Sequence, residues 1–388
     1  MRLRINQESS ISLRKQLVNQ LRHLILSGQW FAGDRIPSEP ELQRQLQISR
    51  GTIRQALRDA EAEGLIVRIA GKGTFVSQCP SEKELNHLIG YITCSLSNEF
   101  QSQLLNGAES TARKRGYRLI FCNSNQSVHE EERLLSQMLD DKVRGLLIWP
   151  TLAGQTFERL ADFINNSAMP LTILDRTAKK LQCDYVTSDN YQGGFAATSH
   201  LIDEGHHHIA FLSSPILTCL PVSERYRGYR DALAQHQLTE LEPWLIGDPG
   251  RDLRFSYVLK TCRDGTSPEI DQIATKLKQS RQPTAIFAIN DLLALKALKA
   301  CEKLGLQVPE DVAIIGFDNQ TEITTGFGVP LSTVAQDTYQ IGKRAAELLI
   351  ARIEGYNGPP QGENIPVHTI IRQSTQTVPT RFNAKLVS

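Results

Sequence analysis

Two rhythms of apolar and polar residues divide the chain. In the first part apolar positions recur at helical spacing. Leu13, Leu17, Leu21, Leu24 and Ile25 form a stripe that predicts a helix from Ser12 to Ser27, ended by Gly28. Ser38-Glu39-Pro40-Glu41 has the form of a capping box and predicts a short second helix through about Leu46. Gln47-Ile48 is a turn, and Ser49 is placed to cap a third helix. Ile53, Ala56, Leu57 and Ala60 give that helix its buried side, and Gly64 stops it. The pattern then changes to period two. Leu65–Ala70 and Thr74–Val76 read as strands around a tight Gly71-Lys72-Gly73 turn. Residues 1–77 are therefore expected to form a winged helix-turn-helix domain.

Residues 78–87 are polar and aperiodic, a linker. From 88 onward short continuous apolar runs alternate with amphipathic stretches. Strands are predicted at Leu88–Ile92, Tyr117–Cys122, Gly145–Trp149, Leu171–Asp175, Ile209–Leu212, Ala285–Ala288 and Val312–Phe317. Helices are predicted over Gln101–Arg115, His129–Asp140, Tyr191–Glu204, Glu224–Gln235, Asp291–Leu304 and Tyr339–Glu354. Unbroken apolar strands between amphipathic helices imply parallel sheets covered on both faces. The fold class is α/β, with a winged helix-turn-helix followed by a two-subdomain, doubly wound domain over 88–388. Two consecutive sheets are the economical arrangement.

Charge sharpens this division. The 388 residues carry a formal net charge of only +1. Residues 1–77 hold twelve Lys and Arg against seven Asp and Glu, a net of +5, and the remainder carries −4. A basic head on a mildly acidic body is expected to meet phosphate. The seven cysteines are scattered without a CxxC pair, which argues against zinc or a disulfide framework and fits a reducing, cytoplasmic setting. Neither a secretory leader nor a membrane span is expected.

Candidate chemistry lies in two places. On the third helix Arg50, Thr52 and Arg54 fall in the opening turns, opposite the apolar side, and suit a helix entering the major groove. Arginine can bond guanine O6 and N7 in a bidentate manner. Ser38 and Gly51, at helix N-termini, can offer amides to phosphate, and Gly71, Lys72 and Gly73 would enter or skirt the minor groove. In the larger domain, ligands are expected beyond the carboxyl ends of parallel strands. Cys94, Ser95, Asn98, Phe100, Trp149, Asp175, Arg176, Arg225, Asn290 and Asp318 lie there. Carboxylates accepting neighbouring hydroxyls, with Arg and Asn donating, make a polyol site. Trp149 or Phe100 could stack on a sugar ring; Trp149 serves equally well as a core or subdomain-interface aromatic. Asp318 reads as a ligand contact rather than a helix N-cap. His206-His207-His208 reads as a turn into a strand, since successive strand residues face opposite ways and cannot converge on one ion. Asn165-Asn166-Ser167 has the form of a glycosylation acceptor, without consequence in the cytoplasm, and Gly71–Thr74 is too short for a phosphate-binding loop.

Several motifs coincide in order and spacing. Pro37-Ser38-Glu39, Ile48-Ser49-Arg50, Thr52-Ile53-Arg54-Gln55-Ala56-Leu57, Glu63-Gly64-Leu65 and Gly71-Lys72-Gly73-Thr74-Phe75-Val76 resemble the winged-helix DNA-binding domain of the GntR family. That family usually places a DNA-contacting Arg after Pro-Ser-Glu, where this chain has Pro40. Asp189-Asn190 with Gly193, Glu204-Gly205-His206, Arg225 before Gly228-Tyr229, Asn290-Asp291, Val308–Val312, Gly316-Phe317-Asp318 and Pro330–Val334 resemble the effector domain of LacI-type repressors, itself similar to periplasmic sugar-binding proteins. The second resemblance implies ligand contacts at Asp175, Arg225, Asn290 and Asp318. The LacI head and hinge helix are absent. A GntR-type head on a LacI-type body is the architecture of arabinose-responsive repressors. It implies a homodimeric transcriptional regulator, a repressor of sugar-utilisation genes released from a palindromic double-stranded operator by an arabinose-like sugar. A purine or nucleoside effector is the alternative. A sugar-binding protein without DNA function would need the body alone. No activated nucleophile, acid–base pair or metal set argues for an enzyme, and no cofactor is expected.

Overall fold

The computed structural model describes residues 5, 12–26, 29–77, 87–152, 156–177, 181–216, 219–247, 259–262, 264–279, 283–326 and 328–376. Residues 78–86 of the expected linker, Cys79 among them, and the first-helix terminator Gly28 lie outside the described residues. The chain forms two compact units, Met1–Asn86 and His87–Ser388.

The first unit contains helices α1 (Leu13–Leu26), α2 (Glu39–Leu46) and α3 (Arg50–Ala62), and the antiparallel hairpin β1 (Ile66–Ile69) with β2 (Gly73–Val76). Leu17, Leu21, Leu42, Ile53, Leu57 and Ile66 are buried together, so the helical stripes and the inner face of the hairpin share one core. The short turn between α2 and α3 is made by Gln47 at φ 53, a left-handed C-cap that reverses the chain at once. Arg14 to Asp59 and Arg22 to Glu63 tie α1 to α3 at the surface.

The second unit opens with β3 (Leu88–Thr93), α4 (Glu99–Lys114), β4 (Arg118–Asn123), α5 (Val128–Asp140), β5 (Leu146–Trp149), α6 (Thr156–Asn166), β6 (Leu171–Leu174) and β7 (Asp184–Ser188). It continues with α7 (Asn190–Asp203), β8 (Ile209–Ser213), α8 (Leu220–Gln235), β9 (Trp244–Leu245), α9 (Pro268–Leu277), β10 (Ala285–Ala288), α10 (Asp291–Leu304), β11 (Ala313–Asp318), α11 (Thr321–Gly326) and β12 (Ser332–Gln336). Helix α12 (Thr338–Ile353), strands β13 (Gly362–Ile365) and β14 (Val367–Ile370), and a 3₁₀ turn at Gln373–Thr375 complete it. Among the described residues one sheet has the order β13-β7-β6-β5-β3-β4 and the other β14-β12-β11-β10-β8-β9, all neighbours parallel except β12 with β14.

This order corrects the expectation of consecutive sheets. After β12 the chain returns to the first half, where α12 packs on α4, β5, β6 and β7 and β13 adds to the sheet edge. It then crosses back to place β14 in the second sheet. The halves are interleaved through three crossings, following Ser188, Gln336 and Ile365. Two further boundaries differ from expectation. Helix α4 starts at Glu99, because Asn98 caps it with Gln101 reaching back. Helix α8 starts at Leu220, so Arg225 lies in its second turn rather than opening it. His206 is buried with Nδ1 3.0 Å from the Thr284 hydroxyl, while His207 and His208 are exposed. Among the described residues no group of three or more His, Cys, Asp or Glu side chains could hold a metal ion, and no helix is long and apolar enough to cross a membrane.

Candidate functional site

In the first unit the residues singled out from sequence converge on the start of α3. The Ser49 hydroxyl accepts from the Thr52 amide at 3.1 Å and lies 2.8 Å from the Thr52 hydroxyl, capping the helix and fixing Thr52. Arg50 and Arg54, one turn apart, both reach the Glu39 carboxylate of α2, at 3.4 and 3.3 Å. Burial works against the charge on Glu39. The hydrogen bonds from Arg54 and Arg50 outweigh it and hold the carboxyl below its ordinary range. Both guanidinium groups stay largely open to solvent. At Ser38, Glu41 accepts from the amide and the hydroxyl, each at 2.7 Å. Pro40 lies in the first turn of α2 and offers no amide there. At the hairpin turn Gly71 and Gly73 take φ of 73 and 124, values that favour glycine, and Lys72 projects between them, exposed. Arg35 lies against Gly73, close enough that a Cβ there would sit 3.2 Å from its Nε. Arg35 is a basic neighbour of the wing that the sequence reading passed over.

In the second unit the parallel register aligns strand ends, so that the loops after them face one cleft. Thr93 pairs with Trp149, and Asp318 with Ala335. On the first half, Asp175 sits just beyond β6 at φ 57, its carboxylate buried. The Trp149 indole N–H donates to Asp175 Oδ2 at 3.4 Å, and the Thr187 hydroxyl to Oδ1 at 3.4 Å. Arg176 lays its guanidinium over the Trp149 ring, 4.0 Å from the centroid, and also donates to the Pro150 carbonyl and contacts Cys94 Sγ, each at 3.3 Å. Burial pushes the Cys94 thiol up, so it stays protonated. Phe100 packs 5.8 Å from Trp149, and the Ser95 hydroxyl turns to that of Ser97 at 2.9 Å. Trp149 is therefore a buried wall with one face and its N–H already engaged.

On the second half, Arg225 is buried over the Phe317 ring, 3.6 Å from its centroid. Its Nε donates to Asn190 Oδ1 at 2.8 Å and one terminal nitrogen donates to the Ile289 carbonyl. The same nitrogen lies 3.8 Å from Asp318 Oδ1. Asp318 is the last residue of β11, at φ 109, and is not the cap of α11, which begins three residues later. Nor does β11 end the sheet, since β12 and β14 lie beyond it. Burial raises the Asp318 carboxyl to about 6; Arg225 opposes that rise and Asp175 adds to it. Asn290 caps α10 through a 2.9 Å bond from the Leu293 amide, a structural task in addition to the contact its motif implies.

Four further residues line the cleft, of which Asn190, Gln320 and Gln336 escaped the sequence reading and Asp291 was noted only as the neighbour of Asn290. Asn190 receives Arg225 and anchors itself to the Thr187 hydroxyl and the Ser188 carbonyl, at 3.1 and 2.8 Å. Asp291, fully buried, accepts from the Thr333 hydroxyl at 2.7 Å and the Gln320 amide at 2.8 Å, and burial raises its carboxyl well above the ordinary range. Gln320 and Gln336 both donate to Asp318. Asn190 and Asp291 stood inside the quoted motifs. The glutamines carried no local signal.

Residues 13–76 match the gntR family of bacterial regulatory proteins, and residues 198–375 match the periplasmic binding protein-like domain. The arabinose metabolism transcriptional repressor of Geobacillus stearothermophilus is 33% identical over 377 residues, 96% of this chain and 100% of that protein. The transcriptional repressor PurR of Aliivibrio fischeri (strain MJ11) is 32% identical over 270 residues, 69% of this chain and 74% of its own length. Among solved structures, a LacI family transcriptional regulator from Enterococcus faecium with bound ribose aligns at a TM-score of 0.59 and 26% identity, covering 76% of this chain and 100% of that one. The chain belongs to the family of the arabinose metabolism transcriptional repressor, ligand-responsive DNA-binding regulators that join a gntR-type head to a periplasmic-binding-protein-like effector domain.

Proposed function

We propose that this repressor acts in the cytoplasm as a homodimer on a palindromic operator and releases it when a neutral, arabinose-like sugar enters the cleft of the second unit. The observation that carries the sugar reading is the gathering of buried Asp175, buried Arg225 and half-buried Asp318 at the facing strand ends, with Arg225 3.8 Å from Asp318. Two carboxylates and a guanidinium whose Nε is already held by Asn190 offer acceptors and a donor at fixed positions, which suits a ring of hydroxyls. Cys94, Ser95, Asn98, Phe100, Trp149, Arg176 and Asn290 complete the proposed wall. A purine or nucleoside would need an open aromatic face to stack on. Here Arg176 covers Trp149 and Arg225 covers Phe317, at 4.0 and 3.6 Å. The ribose bound to the LacI family relative points the same way.

On the operator, Arg50, Thr52 and Arg54 are assigned to base edges, Ser38 and Gly51 to phosphate, and Gly71, Lys72 and Gly73 to the neighbouring minor groove. A sugar can shift the equilibrium only through unequal affinity for the operator-bound and released states. The test is footprinting of DNA upstream of the chain's own gene, with and without L-arabinose, D-ribose and hypoxanthine. Selective protection lifted by a sugar and not by hypoxanthine is expected. Protection lifted by hypoxanthine alone would replace the sugar with a purine. An absence of selective protection would remove the operator claim.

A further inference from the structure

Each oxygen of the Asp318 carboxylate is already bonded to a side-chain amide. Gln336 Nε2 donates to Oδ1 at 2.7 Å, and Gln320 Nε2 donates to Oδ2 at 3.2 Å. The two glutamines differ in where their other ends go. Gln336 accepts from the Ser188 hydroxyl, and both residues lie where the chain crosses between the halves. Gln320 spans the cleft itself: its Oε1 accepts from Asn98 Nδ2, the cap of α4 in the first half, at 3.4 Å. Beside it the Thr321 hydroxyl donates to Glu99 at 3.2 Å. Gln320 is 6% exposed. Its main chain is tethered on every side. The Gln320 amide is held by Asp291 at 2.8 Å, the Asn319 amide by Thr333 at 3.3 Å, and the Asn319 side chain by Arg372 at 2.8 Å. Asp318 and Asn319 both have positive φ, 109 and 56, so this bend is a strained one that the surrounding bonds impose. The part left able to swing is the Gln320 side chain, whose bonds of 3.2 and 3.4 Å are both longer than the 2.7 Å bond of Gln336 to the Asp318 carboxylate.

We propose that the Gln320 side chain is a built-in competitor of the effector. It stands where a sugar hydroxyl would donate to Asp318, and it holds the two sides of the cleft together by joining Asp318 to Asn98. This rests on the reading of Asp318 as a sugar contact. A hydroxyl arriving at Oδ2 replaces the Gln320 N–H bond, frees its carbonyl from Asn98, and so exchanges one arrangement of the halves for another. The shut latch raises the apparent Kd for sugar by the inverse of the fraction of molecules in which it stands open. Gln336, with a short bond to Asp318, orients the carboxylate and is not displaced.

The test uses the full-length protein and four neutral sugars, L-arabinose, D-ribose, D-xylose and D-galactose, titrated calorimetrically and against the footprinted operator. Gln320→Met keeps length and loses both bonds. Gln320→Asn keeps an amide too short to span both partners and serves if the Met variant folds poorly. For the sugar that binds, either variant is expected to tighten Kd by roughly three- to tenfold. The same variants should weaken the sugar-free operator complex, because the latch supports that arrangement. Gln336→Met is expected to weaken sugar binding instead. Weaker sugar binding in the Gln320 variants would make Gln320 an ordinary ligand contact and overturn the proposal, as would unchanged affinity. Asp318→Asn separates the two levels. If it binds sugar like the unmodified chain, or if the unmodified chain binds none of the four, the cleft reading itself fails.

Discussion

Arg50 and Arg54, the proposed base contacts, share one carboxylate, and this sets what their loss should do. Glu39 holds both at about 3.3 Å while leaving them exposed, so the pair is presented in a restricted geometry. Arg50→Ala or Arg54→Ala should each weaken operator binding by about 1–3 kcal/mol and leave sugar affinity unchanged. Band-shift titration beside calorimetry checks this, and equal losses in both assays would point to misfolding instead. His206 supports a second prediction. Burial, with small contributions from His200 and His207, lowers its pKa to about 4, against an ordinary value of 6.5. The folded state thus keeps His206 neutral while the unfolded state takes up a proton as pH falls below 6.5. Stability is undiminished above that value and declines toward pH 4, by about 2 kcal/mol at pH 5. His206→Asn should blunt this decline in denaturant titrations at pH 7 and pH 5; an undiminished decline would place the acid sensitivity elsewhere. At this scale, legibility followed sequence distance. Ser49 announced its cap because its partner Thr52 is three residues away. Gln320 could announce nothing, since its role depends on Asn98, 222 residues earlier.

Paired helices hold each half of the effector unit, and both pairs meet on glycine. A Cβ at Gly194 of α7 would stand 2.2 Å from the Arg225 carbonyl oxygen and 2.8 Å from its Cα. One at Gly228 of α8 would stand 2.2 Å from the Tyr191 carbonyl. In the other half a Cβ at Gly107 of α4 would stand 2.0 Å from the Tyr339 carbonyl oxygen, and one at Gly342 of α12 would stand 2.0 Å from that of Leu104. The same packing has different consequences. Gly194→Ala must push the α8 backbone at Arg225, so it should cost about 1–3 kcal/mol in stability and also weaken sugar binding. Gly342→Ala should cost a similar amount with sugar binding largely retained. Denaturant unfolding and calorimetry on both variants check this, and equal sugar losses would mean that the α7–α8 contact does not position Arg225. The apolar runs and amphipathic stripes made β3, β5, β6, β8, β10 and most helices readable. Strand β7 was missed because Asp184, Thr187 and Ser188 break its apolar run. Strands β13 and β14 were missed because edge strands need no unbroken apolar face.

At the scale of the whole molecule, periodicity showed that two sheets exist and could not show that they interleave. The return of α12 to the first half depends on its contacts with α4, β5, β6 and β7, and its own pattern only says that one side is buried. Charge, by contrast, is additive along a sequence and was legible from the start: +5 in residues 1–77 and −4 in the rest. That asymmetry separates the two proposed ligands in one experiment. Operator binding displaces counterions, so its affinity should fall with salt by a slope of about −0.9 for each phosphate neutralised. If each head of the proposed dimer meets about three phosphates, the slope is roughly −5, and raising salt from about 50 to 200 mM weakens the complex by about 10³-fold. A neutral sugar releases no counterions, and its affinity should stay flat over the same range. Lys72, exposed at the turn of the hairpin, should contribute about one phosphate per head. Lys72→Ala would then make the slope shallower by about two in the dimer while leaving the sugar isotherm untouched. A slope unchanged by that substitution would take the wing out of the DNA contact. A sugar affinity that falls as steeply as operator affinity would mean that the cleft ligand is itself an anion, and the pairing of Asp318 with Arg225 would have to be read as an anion site rather than a polyol site.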